Sequence, residues 1–223
     1  MKKIPGICLS GLAVALLLVS GAVAQDNFVS GGVAGVRGLH GHAVLPPGVI
    51  FSNCGSGCTS YSTTGYYVSG TALGTAPGQT LAMGFTPARS STFSFALVPI
   101  SVFTSNGDAS SGRMSAFLLH GSASTGPTTL LAKLTQHGTI PDFPAIKVVK
   151  YTSTKTVTFK KGVTYFLCGT EPVANVQLLW MASNTDTTSP FWFQDNGSCT
   201  AKGLNWLNAT GSADGAFEVA GTH

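Results

Sequence analysis

Thr156-Val157-Thr158-Phe159-Lys160-Lys161-Gly162-Val163-Thr164-Tyr165-Phe166-Leu167 is the stretch that decides the fold class. Val157 and Phe159 alternate with Thr156, Thr158 and Lys160, a period of two that sends one set of side chains inward and the other outward. Lys160-Lys161-Gly162 supplies turn chemistry, and Tyr165 and Leu167 resume the alternation, so the stretch predicts a hairpin. The same rhythm continues on both sides. Phe93, Phe95 and Leu97 carry it, as do Ile146 and Val148, Val176 and Leu178, and Phe217 and Val219 around Glu218. Turn residues such as Ala76-Pro77-Gly78, Asn106-Gly107-Asp108, Gly126-Pro127 and Asn196-Gly197 separate the runs. No stretch combines apolar spacing at i, i+3, i+4 and i+7 with helix caps. The prediction is an all-β chain, a single jelly-roll-like antiparallel β-sandwich of roughly ten to twelve strands. Pro99 cannot donate to a ladder, so it marks an edge, a bulge or the join of two strands.

The chain starts differently. Met1-Lys2-Lys3 is basic, Ile7 to Val19 is apolar apart from Ser10 and Gly11, and Ala22-Val23-Ala24 supplies small residues before Gln25. This is the layout of a secretory signal peptide. Residues 1–24 are read as that peptide, 25–48 as a Gly-rich N-terminal arm or linker, and 49–223 as the sandwich domain. The expected location is outside the cytoplasm, secreted, extracellular or periplasmic. No later run approaches the ~20 apolar residues that span a bilayer, so no membrane span is expected after cleavage. Loss of Lys2 and Lys3 lowers the formal charge from +4 to +2, since no acid precedes Asp26. That is too mild a balance for a nucleic-acid partner. Charged residues are 9% of the chain, against ~25% in ordinary domains, so Ser, Thr, Gly and Asn must cover the surface.

Cys8 lies in the leader, which leaves Cys54, Cys58, Cys168 and Cys199. In an exported chain an even number reads as disulfides. The favoured pairs are Cys54–Cys58, closing a tight loop whose Gly55 and Gly57 permit the turn, and Cys168–Cys199, stapling two late segments. A four-cysteine zinc site needs C-x₂₋₄-C twice, and only Cys54/Cys58 fits.

Several phrases, in order, resemble an exported bacterial domain: Gly65-Tyr66-Tyr67-Val68-Ser69-Gly70, Leu81-Ala82-Met83-Gly84-Phe85-Thr86-Pro87, Ser115-Ala116-Phe117-Leu118-Leu119 before Gly126-Pro127, Lys161-Gly162-Val163-Thr164-Tyr165-Phe166-Leu167, and Ala216-Phe217-Glu218-Val219-Ala220-Gly221. Together they resemble the choice-of-anchor R domain family. The resemblance implies a β-sandwich displayed outside the cytoplasm and brings no catalytic site with it. Members often precede a C-terminal sorting anchor. Here Gly221-Thr222-His223 follows the last strand directly, so a released or non-covalently held protein is expected.

No nucleophile elbow, zincin motif, P-loop or dinucleotide fingerprint occurs, and no catalytic residue is assigned. Glu171 and Glu218 would serve a jelly-roll polysaccharide-cleaving enzyme only if their carboxyls faced each other about 5–10 Å apart. Otherwise Glu171 sits in a turn before Pro172 and Glu218 alternates outward. Exposed aromatics on a sandwich stack on sugar rings, and Asn or Gln beside them bind hydroxyls. This marks Trp192, Gln194 and Trp206 as candidate ligand-binding residues, with core packing the competing role for the aromatics. Asn184, Asp186 and Asp195 are candidate oxygen donors to a structural calcium ion, or else Asx-type turn formers; no other cofactor is expected. The leading functional expectation is a non-catalytic extracellular binding or structural module, with a polysaccharide or a surface protein as partner.

Overall fold

The computed structural model describes residues 45–70, 78–104, 112–186, 188–194, 198–200 and 205–222. Residues 1–24, expected to be a signal peptide, nearly all of the Gly-rich arm and Asp195 lie outside these residues. The alternation becomes fourteen strands, and the described residues contain no α-helix. The first seven are β1 (Val49–Ser52), β2 (Tyr61–Ser69), β3 (Thr80–Phe85), β4 (Ser91–Thr104), β5 (Ser115–Ser122), β6 (Gly126–Lys133) and β7 (Thr135–His137). Then come β8 (Lys147–Thr152), β9 (Thr158–Phe159), β10 (Tyr165–Thr170), β11 (Gln177–Ser183), β12 (Phe191–Gln194), β13 (Leu207–Asn208) and β14 (Glu218–Thr222). The excess over the expected count comes from β7, β9 and β13, which are two or three residues long and too short to show a period.

Two antiparallel sheets form the sandwich. One has eight strands, ordered β1-β14-β4-β11-β2 with β8 and β9 also on β4 and β7 on β8. The other has six, ordered β13-β12-β3-β10-β5-β6. The expected hairpin at Lys160-Lys161-Gly162 is not one. β9 pairs with β4 in the first sheet, whereas β10 pairs with β3 and β5 in the second. The turn is real, with Gly162 at φ +77°, but it carries the chain across the sandwich. Lys161 N–H donates to Ser90 Oγ (3.0 Å) and Gly162 N–H to the Pro87 carbonyl, which fixes the crossing. Phe159 and Tyr165 then meet face to edge in the core, 4.7 Å apart, instead of lying on neighbouring strands. Period two gives the same signal for both connections.

Pro99 is the join of two neighbours. β14 pairs with Thr92 to Leu97 and β11 with Ile100 to Thr104, so Pro99 falls where one partner replaces the other and its missing N–H costs nothing there. The inner faces enclose one core, with Trp180, Tyr151, Phe85, Phe159 and Phe217 fully buried. Trp180 lies at its centre, and its Nε1–H donates to the Ala216 carbonyl (2.8 Å).

Both expected disulfides form, with Cα atoms 4.6 Å apart for Cys54–Cys58 and 6.1 Å for Cys168–Cys199. Each builds a small apolar cluster outside the main core. Cys54 and Cys58 pack with Ala216, Tyr61, Leu97 and Val148 on the eight-stranded sheet. Cys168 and Cys199 pack with Ala82, Leu119, Phe166 and Trp192 on the six-stranded sheet. Peptide mass mapping of unreduced protein should recover these two pairs; a thiol that reacts with alkylating reagent before reduction would contradict the pairing.

Candidate functional site

The run Phe191-Trp192-Phe193-Gln194 forms β12, and period two divides it. Phe191 and Phe193 pack on the main core; Trp192 points to the other side. That other side is not open. The Cys199 segment, held by its bond to Cys168, lies over it, and Trp206 packs half-buried against the same cluster. Trp192 is 6% exposed, and its six-membered ring covers Gly126 so closely that a Cβ there would come within 2.9 Å of Cδ2. Gln194 is buried too, its Nε2 donating to the Ser198 carbonyl and its Oε1 unpartnered. The packing role is therefore the one the structure gives Trp192 and Gln194. Neither offers a surface to a polysaccharide.

The acids are also placed apart. Glu171 follows the inward register of β10 and is 3% exposed, with Oε1 accepting Val173 N–H (2.7 Å) and Oε2 unpartnered. Burial pushes its carboxyl up to about 7. Across the core, Tyr151 donates its hydroxyl to Gln136 Oε1 (3.2 Å). Glu218 leaves β14 on the side opposite Phe217 and Val219, and its Oε2 accepts Gly57 N–H (2.9 Å) under the Cys54–Cys58 loop. Burial raises its pKa. The two carboxyls thus project from different sheets, one inward and one outward. Asn184 is exposed in the turn after β11, and Asp186 is part-buried beside it. No group of three or more His, Cys, Asp or Glu suited to a metal occurs among the described residues.

A different set of aromatics faces solvent. Tyr67 alternates with buried Tyr66 and Val68 and so lies on the outer face of β2. Phe103 stands beside it, ring centroids 5.0 Å apart, and Phe143 follows at 5.9 Å from Phe103. Phe103 is 39% and Phe143 43% exposed, which leaves ring surface free in both. Two devices hold this row. Gln177 pairs with Thr104 and Leu178 with Val102, so Phe103 is the extra residue of a β-bulge, which re-aims its side chain. Phe143 lies on a loop fastened to the same strand. Phe143 N–H donates to the Val102 carbonyl (2.7 Å), Val102 N–H to that of Pro141 (2.8 Å), and Ser101 Oγ to that of Ala145 (2.8 Å). Next to Tyr67, Gln177 Nε2 donates to the Oγ of buried Ser69 (3.1 Å), which fixes an amide at the end of the row.

Nothing local in the sequence joins Tyr67, Phe103 and Phe143; a β-bulge has no reliable single-residue signature. No protein-family model matches the chain, and no curated protein matches it.

Proposed function

We propose that this protein is an exported, non-catalytic β-sandwich that binds polysaccharide on the row formed by Tyr67, Phe103 and Phe143. The observation that carries the reading is the row itself: three rings in file, two of them with solvent-facing surface, held by a bulge and a pinned loop. Sugar rings present apolar C–H faces that stack on aromatic rings, and the half-buried Gln177, oriented by the buried Ser69, supplies an amide for hydroxyls. Preorganisation matters because an ordered site loses little entropy on binding. The leader-like start, the charge-poor composition, the two disulfides and the resemblance to choice-of-anchor R domains support a place outside the cytoplasm.

The test is retention of the purified protein on a panel of insoluble and soluble polysaccharides. Phe103→Ala should weaken binding to the retained glycan about tenfold, the worth of one stacked ring, with an unchanged melting temperature. Retention by no glycan, or binding by Phe103→Ala and Phe143→Ala as tight as that of the unmodified protein, would reject the carbohydrate reading. Capture of a surface protein through the same row would replace it.

A further inference from the structure

The row of rings on the outer face of the eight-stranded sheet is not flat. Tyr67 and Phe103 are inclined to each other by 54°, and Phe103 and Phe143 by 56°. Their centroids lie 5.0 Å and 5.9 Å apart, spacings close to the width of a single sugar ring. The backbone sets this arrangement. Phe103 leaves β4 at a bulge, and Phe143 is carried by a loop whose N–H and carbonyl groups are tied to Val102. Each ring also packs against the next, so none can turn into a common plane without losing its neighbour.

A crystalline polysaccharide presents a plane. A plane touches several rings at once only where those rings are coplanar. On this row it would stack on one ring and leave the others unused. A free chain differs, because its glycosidic bonds are torsional joints. Successive sugar rings turn relative to one another, and each can lie on its own aromatic ring. Stacking adds up along the row only in this second case.

Charge narrows the chain further. Asp142 is exposed, precedes Phe143 and bridges Val102, the neighbour of Phe103. A carboxylate thus adjoins both exposed rings. Lys147, the next cation along the loop, carries its ammonium to Gly138, where a Cβ would come within 3.0 Å of Nζ. Lys150 lies over Phe95, not over this row, with Nζ 4.7 Å from the ring centre. A carboxylate accepts hydroxyl protons but repels a uronate or a sulfate. At the Tyr67 end, the Gln177 amide both donates and accepts, as sugar hydroxyls do. We propose, resting on the carbohydrate reading of this row, that it takes a single uncharged glycan chain in solution and not a crystalline face or an acidic chain.

The experiment compares three classes of glycan on the unmodified full chain. Mixed-linkage β-glucan and glucomannan are soluble and neutral, microcrystalline cellulose and chitin are crystalline, and polygalacturonate and alginate are soluble and acidic. Titration calorimetry should show binding to at least one neutral soluble chain, with an affinity that salt leaves unchanged. Pull-down on the crystalline glycans should be at least about tenfold weaker. The acidic chains should bind about fivefold more weakly than the neutral one, the effect of one like charge at short range. Asp142→Asn, or about 1 M salt, should remove that last difference. The comparison among glycans needs no variant, so a folding defect in one leaves it standing. Retention on cellulose or chitin that Phe103→Ala abolishes would overturn the single-chain inference and leave the carbohydrate reading intact. Preferential binding of polygalacturonate or alginate, weakened by salt, would overturn the preference for an uncharged chain. Binding to none of the glycans would reject both.

Discussion

Replacing Trp180 by alanine should cost about 3–5 kcal/mol and leave much of the protein unfolded, because whole domains are stable by only about 5–15 kcal/mol. The side chain is fully buried and packs on both sheets. On its own sheet its ring meets Phe217 edge to face at 6.3 Å. On the other it lies over Gly169 of β10, where a Cβ would come within 3.2 Å of Cζ3. Its Nε1–H also satisfies the Ala216 carbonyl in the segment entering β14. Alanine would lose the transfer free energy, leave a cavity between the sheets and strand that carbonyl. Trp180→Phe keeps most of the volume and loses mainly the hydrogen bond, so it should cost about 1–2 kcal/mol. Urea unfolding separates the two: the midpoint should fall steeply for alanine and modestly for phenylalanine at constant slope. A loss below about 1 kcal/mol for alanine would mean that the site collapses freely and that Trp180 does not hold the two sheets together.

The second large effect is a loss of stability toward alkaline pH. Glu171 is buried against the apolar interior, and burial raises its pKa from 4.5 to about 7. The folded carboxyl therefore holds its proton more tightly than the unfolded one. Its contribution is complete below about pH 4.5, declines as pH rises to about 7, and stays lost above that. The fall should amount to about 2–4 kcal/mol. Glu171→Gln cannot ionise and should flatten it, so denaturant unfolding across this pH range is the measurement. Asp214 contributes in the same direction up to about pH 8, so the difference between wild type and Glu171→Gln isolates the glutamate. An identical pH slope in both proteins would show that Glu171 is solvated in its carboxylate form.

Strand content was legible because alternation is a local property: Phe217 and Val219 face the core and Glu218 the opposite side, as their spacing says, although the Cys54–Cys58 loop covers Glu218 and keeps it from solvent. The disulfides were legible because few pairings exist and Gly55 and Gly57 suit a tight loop. The hairpin expected at Lys160-Lys161-Gly162 does not form, because a turn sequence does not encode whether the next strand stays in its sheet or crosses to the other. Trp192 shows the same limit in a second form. Its position opposite Phe191 and Phe193 was readable; the cover over it was not.

By itself the sequence determined that this chain forms strands, that its cysteines pair, and which side chains share a face. These follow from bonds and periods within a few residues. The tertiary structure alone decided which faces meet water. A disulfide-held segment buries Trp192, a bulge turns Phe103 outward, and a loop pinned to β4 brings Phe143 beside it. It also brought Asp214 to Asp186. Exposure and proximity arise from contacts between segments far apart along the chain, and no local pattern carries them.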